Sequence, residues 1–256
     1  VTGVLLALGV VAGAVAGSFV NVVAHRVPRG MSVIRPRSAC PGCGHEIRSR
    51  DNIPVLSWLL LRGRCRDCGT GISRRYPLVE AGTAAGFAGL ALLVGASWAL
   101  PGYWWAAGVA IALTLTDLDV RRIPDRILLP GAVVTAVLLG LGAAGDGDLM
   151  AALRAAGGGA AYFGLLLVVA LAARGGFGFG DVKLGVLLGM VLAYRSWGAL
   201  AVGAFASFAL GGLAAIALLA TRRAKRKDAI PFGPAMVAGA ALALVWGEAV
   251  VRWYAG

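Results

Sequence analysis

Apolar residues in this chain gather in long blocks separated by short polar stretches. A run of about 20 apolar residues crosses a bilayer as a helix. In lipid the backbone must satisfy its own hydrogen bonds, so helices are the expected solution. The blocks predict eight spans, at roughly 1–24, 78–97, 103–118, 127–145, 150–173, 182–194, 197–220 and 231–251. The sixth is short, and its pattern fits a tilted, broken or partly re-entrant segment. The first has no basic region before it and no small-residue cleavage site after it, so it reads as a retained helix rather than a signal peptide. Its Gly9, Gly13 and Gly17 form a doubled GxxxG and predict close helix packing. The expected fold is an all-α polytopic membrane protein of about eight transmembrane helices. A small cytoplasmic insert follows the first helix. The expected divisions are 1–24 as that helix, 25–77 as the insert and 78–256 as a transmembrane catalytic domain.

Composition supports this picture. Of 256 residues, 59% are hydrophobic and 14% are charged, with a mean hydropathy of +0.82; soluble domains carry about 25% charged residues. A net charge of +12 suggests nucleic acid at first sight, but its placement argues for a membrane. Segments 25–77, 119–126, 174–183 and 221–230 hold 21 of the 24 Lys and Arg residues. The other side receives Arg154, Arg195, Arg252 and the acidic loop AGDGDLM. That asymmetry makes the basic segments cytoplasmic and puts both termini outside. The expected partners are therefore the bilayer, including its anionic headgroups, and no nucleic acid.

All four cysteines lie in the insert, in CPGCGHE (Cys40, Cys43) and CRDCGTG (Cys65, Cys68). Two C-x2-C knuckles separated by 21 residues bring four thiolates into the tetrahedron that Zn2+ prefers. Disulfides are disfavoured in a reducing cytoplasmic loop. With no open position the metal is expected to be structural. His45 then reads as a surface residue. Between the knuckles, NIPVLSWLLLRG (Asn52–Gly63) is apolar but too short to span, and is expected to pack the insert or lie at the membrane interface.

Two carboxylates stand out, because ionisable groups in or near a bilayer are costly. Asp117 ends the third span in TDLDVRRIPD (Thr116–Asp125). Asp181 begins the sixth in GFGFGDVKLG (Gly176–Gly185). The topology places both at the cytoplasmic edge. Two carboxyl groups at one depth can share a proton, one acting as base on a water while the other donates to a carbonyl oxygen. The glycines permit close backbone approach of an extended peptide. The helix dipole argues for Asp181 as the ionised partner, although such protons belong to the pair. Simpler roles stay open: a helix N-cap for Asp181 and a snorkelling helix-end residue for Asp117. Asp119 and Asp125 sit among Arg121, Arg122 and Arg126, where solvated ion pairing accounts for them.

Five motifs in order resemble the type IV prepilin peptidases. They are GSFVNVVAHRVPRG (Gly17–Gly30), PLVE (Pro77–Glu80), DLDVRRIPD led by Asp117, GxGD at Gly178, Phe179, Gly180 and Asp181, and IPFGP (Ile230–Pro234). The paired CxxC knuckles also resemble those of the long, zinc-containing members. The resemblance implies an aspartic endopeptidase of the bacterial inner membrane, with catalytic Asp117 and Asp181 and a supporting loop of Gly178, Gly180 and Lys183. The implied substrate is a type IV prepilin or pseudopilin of a pilus or type II secretion system, cut after a glycine at the cytoplasmic face. The substrate's basic leader lies in the cytoplasm and its apolar helix in lipid, so the scissile bond sits at the depth of the two aspartates. N-methylation of the new N-terminus with S-adenosylmethionine is implied in the same way. No motif marks a pocket for that donor: GLGAAG (Gly140–Gly145) matches GxGxxG but does not follow a strand. Asn21, Arg26 and Glu80 are polar groups near the boundary that suit either the donor or capping and pairing. A proton-coupled transporter using the same aspartates is the rival reading. It fits less well, because the pair lies at an edge and the hydropathy shows no inverted repeat. A non-enzymatic assembly factor leaves the aspartates unexplained.

Overall fold

A computed structural model describes residues 2–173, 177–222 and 230–255. The described residues are helical, with no strand and two isolated bridges, Ala39 to Glu46 and Arg64 to Gly71. Gly176 of the glycine-rich motif, Arg174 and the basic run 223–229 lie outside the described residues. The chain forms two compact units, Val1–Ala96 and Ser97–Gly256.

The first unit contains α1 (Thr2–Arg26), the insert with its short α2 (Leu56–Leu60), and α3 (Arg75–Val94). Gly9, Gly13 and Gly17 are buried in α1. A Cβ on Gly13 would come 2.6 Å from the Ala84 Cα on α3. The doubled GxxxG thus does what its pattern predicts, letting two apolar helices approach at backbone distance where lipid supplies no hydrophobic drive. In α2, Ser57 is buried and the Trp58 Nε1–H donates to the Ile72 carbonyl at 3.1 Å. Leu56, Leu59 and Leu60 face outward.

The second unit contains α4 (Leu100–Val120), α5 (Asp125–Asp146), α6 (Leu149–Ala172), α7 (Phe179–Arg195), α8 (Trp197–Ala220) and α9 (Gly233–Ala255). Its tightest pairs are α6 with α7 and α8 with α9. Outward positions on α8 are large and apolar, including Phe205, Leu213 and Ile216, as a lipid-facing surface requires.

Each of the eight expected spans falls on a helix, but among the described residues six helices are long and apolar enough to cross a membrane. The other two, α4 and α7, carry Asp117 and Asp181. At 17 residues α7 is short, and Val182, Leu184, Leu187 and the run Leu188–Ala193 are buried. Its apolar residues face neighbouring helices rather than lipid, so bilayer thickness does not set its length.

Candidate functional site

Two clusters of chemically capable side chains emerge, one in each unit.

In the first unit the two knuckles fold alike. Cys40 N–H donates to the His45 carbonyl at 2.9 Å and Gly44 N–H returns to the Cys40 carbonyl at 2.9 Å. In the second, Cys65 N–H donates to Thr70 at 2.8 Å and Gly69 N–H returns to Cys65 at 3.0 Å. Gly44 and Gly69 both adopt φ of +73°, the left-handed turn that glycine takes without strain. The four Sγ atoms lie within 4.8 Å of one another, with Cys40 and Cys68 3.7 Å apart. A tetrahedral ion with metal–sulfur bonds of about 2.3 Å needs sulfurs about 3.8 Å apart, so the set fits a metal ion. The thiols are electrostatically uneven. Hydrogen bonds from the Thr70 hydroxyl and amide pull Cys68 down to about 6. The His45 amide favours the Cys43 thiolate, but desolvation and the neighbouring sulfurs outweigh it and push Cys43 up to about 12. His45 is exposed and contributes only backbone. Beside the knuckles, Arg66 grips Asp51 through two nitrogens, at 2.6 and 2.9 Å, and holds that carboxyl below its ordinary value.

The same unit encloses a cavity of about 670 Å³ bordered by Asn21, Arg26, Trp58, Tyr76 and Glu80. Three of its polar side chains hold backbone groups of the fold. Glu80 Oε2 accepts the Val55 amide at 2.7 Å. Asn21 Nδ2 donates to the Gly17 and Tyr76 carbonyls. Arg26 donates to the carbonyls of Ser32 and Pro36.

In the second unit, Asp117 sits in the last turns of α4 and Asp181 in the first turn of α7. The N-termini of α5 and α9 complete that end. Asp117 is buried, and its Oδ2 accepts the Gly233 N–H of α9 at 3.1 Å. Asp181 lies within electrostatic reach of Asp117. Its Oδ1 is buried and has no hydrogen-bond partner among the described residues. Backbone geometry fixes both. Arg121 ends α4 in the left-handed region at φ +52°, its N–H closing on the Asp117 carbonyl at 2.9 Å. Gly180 packs so tightly on the next turn that a Cβ there would come 2.9 Å from the Ile123 Cβ. The Phe232 ring stacks edgewise on Phe177 at 5.3 Å and tilts on Phe208 at 5.5 Å, tying the glycine-rich loop to α8 and to the start of α9.

Residues 11–94 match the bacterial peptidase A24 N-terminal domain, and residues 104–216 match the type IV leader peptidase family. The chain belongs to the type IV leader peptidase family. It is 35% identical to a prepilin leader peptidase/N-methyltransferase of Aeromonas hydrophila over 93% of this chain and 89% of the relative. The protein so named in Pseudomonas aeruginosa is 35% identical over 94% and 90%, and that of Bacillus subtilis 34% over 98% of both. No solved structure matches the chain. As a leader peptidase, the chain is a membrane peptidase built of helices.

Two features of this peptidase escaped the sequence. Gly233, in IPFGP, is a hydrogen-bond donor to Asp117, a role that no motif spacing announces. Asp125, surrounded by arginines in sequence, pairs instead with Lys183, whose Nζ lies 2.8 Å from both of its oxygens.

Proposed function

We propose that this leader peptidase is an aspartic endopeptidase that removes the leader from type IV prepilins or pseudopilins, with Asp117 and Asp181 as its catalytic pair. One observation carries the reading. Two carboxyl groups from distant segments share one end of a helical unit, and one of them holds a buried oxygen without a partner among the described residues. A buried polar atom without a partner is costly, and a hydrolytic water is the partner this chemistry supplies. One carboxylate takes a proton from that water as its oxygen adds to the peptide carbonyl. The other carboxyl gives its proton to the carbonyl oxygen. As the C–N bond breaks, a proton passes to the leaving amine. Gly178, Gly180 and Lys183 support the Asp181 loop. The basic segments of the sequence put the scissile bond at the cytoplasmic face of the inner membrane.

Cys40, Cys43, Cys65 and Cys68 would hold a structural Zn2+. Its chemistry is to cross-link the two knuckles and so fold an insert that has little core of its own. The names of the relatives extend the reading to N-methylation of the mature end with S-adenosylmethionine. The cavity of about 670 Å³ in the first unit has the volume of a small-molecule pocket. Asn21, Arg26 and Glu80 in its lining already hold backbone partners, and no step is derived through it.

Reconstitution with a type IV prepilin in liposomes, with leader release followed by mass spectrometry, tests the peptidase. Asp117→Asn and Asp181→Asn should each stop cleavage while the protein stays folded. Cleavage that survives both changes rejects the assignment.

A further inference from the structure

The segment after Asp117 and the first turn of α7 meet at two described points. One is the Gly180–Ile123 contact. The other is the ion pair of Lys183 and Asp125, with Nζ 2.8 Å from Oδ1 and Oδ2. Asp125 begins α5, directly after Ile123 and Pro124. Lys183 follows Asp181 by two residues, and its Nζ also lies 5.2 Å from the centre of the Phe179 ring. Each catalytic aspartate is therefore followed within eight residues by one half of a single ion pair.

We propose that the Asp125–Lys183 ion pair is a positioning clasp that sets Asp181 in register with Asp117, beyond the acid–base pair itself. Exposure argues against a mainly stabilising role. The side chains are 28% exposed at Lys183 and 51% exposed at Asp125, and such pairs contribute little to global stability. Position is another matter. The glycines that flank Asp181 bring no side chains that could hold it, and the buried Asp181 Oδ1 gains no hydrogen bond from neighbouring side chains among the described residues. The clasp spans the same two segments as the Gly180–Ile123 contact, so the two together limit both sliding and rotation of the α7 entry. A misplacement of about 1 Å at a reacting group costs as much as 100-fold in rate. Neither Asp125 nor Lys183 need touch the substrate to exert that effect.

The clasp rests on the peptidase reading, and one experiment separates the two. The full chain in liposomes is assayed for prepilin cleavage as native protein and as Asp125→Asn, Lys183→Met, Lys183→Arg and the exchange Asp125→Lys with Lys183→Asp. Asp117→Asn serves as the control. The clasp predicts a fall in kcat of about tenfold or more for Asp125→Asn and Lys183→Met, with KM within twofold and an unchanged thermal midpoint. Lys183→Arg and the exchanged pair should each recover most of the loss. The proposal is overturned by single variants within twofold of native kcat. A loss that tracks a lowered thermal midpoint, a change in KM alone, or failure of the exchanged pair to recover activity also overturns it. Loss in Asp117→Asn with intact clasp variants leaves the peptidase standing and removes only the clasp. Cleavage by Asp117→Asn removes the peptidase reading first.

Discussion

The cysteine cluster and the aspartate pair solve opposite problems. Each knuckle closes on itself within a few residues through backbone hydrogen bonds and one left-handed glycine. Only the joining of two such loops is tertiary. The aspartates have no local partner that could define a site. Asp117 acquires Gly233, which lies 116 residues away. Asp181 acquires a second carboxyl group, that of Asp117, from another helix. A metal centre can thus be assembled from two self-sufficient pieces, whereas an acid pair exists only once several helices have packed.

Changes of charge at the acid pair should give the largest effect. Replacing Asp117 or Asp181 by Asn removes a general acid or base, worth about 10²–10⁴-fold in rate, with little change in helical content by circular dichroism. If both variants also unfold, the pair is structural and the contrast between the two regions is lost.

Replacing Cys40 or Cys65 by Ser should come next. Metal analysis of the native protein should give about one zinc per chain, and the variants should give little or none. Limited proteolysis should then open the insert between residues 30 and 73 before any helix is cut. A metal-free chain with an insert as resistant as the native one would show that the knuckles hold themselves together.

Smaller losses are expected where backbone approach, rather than chemistry, positions a carboxyl group. A Cβ at residue 233 would sit 2.9 Å from Asp117 Oδ2. Gly233→Ala should therefore slow cleavage by about 10–100-fold through displacement of a reacting group. Gly180→Ala presses on the Ile123 Cβ at 2.9 Å instead, an atom that moves only with its backbone, and should cost less because it strikes no catalytic oxygen directly. Equal and negligible effects at both positions would mean that the site tolerates sub-ångström shifts.

The smallest effect belongs to Arg66→Gln in the insert. Arg66 lowers the folded-state value of Asp51 below 3.8. A carboxyl depressed by folding contributes stability above its unfolded value, and that contribution fades as pH falls through the folded one. The variant should be slightly less stable at pH 7. The difference should shrink below about pH 3.8 and vanish once Asp51 is protonated in both states. Thermal melts of the metal-loaded chain across that range check the sign. A difference that grows on acidification contradicts the pairing.

How much of this was legible beforehand depends on the range of the interaction concerned. The cysteines announce themselves because ligand spacing and turn glycines are local, and the GxxxG of α1 announces its packing for the same reason. Ion pairing at Asp125 was legible, but its partner was not. Nearby arginines made a local ion pair the economical reading, while the helix geometry delivers Lys183 from 58 residues away. The spans were legible as helices, but the two that carry the aspartates are not among the six described helices long and apolar enough to cross a membrane. At 17 residues α7 falls short on length, and a helix surrounded mainly by protein has no bilayer thickness to match.

The sequence by itself determined the helices, the membrane, the thiolate set and the two segments worth watching, because each follows from composition or short-range spacing. Tertiary structure alone decided that Gly233 serves Asp117, that Lys183 serves Asp125 and that both aspartates share one end of a unit. Those relations depend on which helices touch and at what rotation. Side-chain packing sets that rotation over separations that no local pattern records.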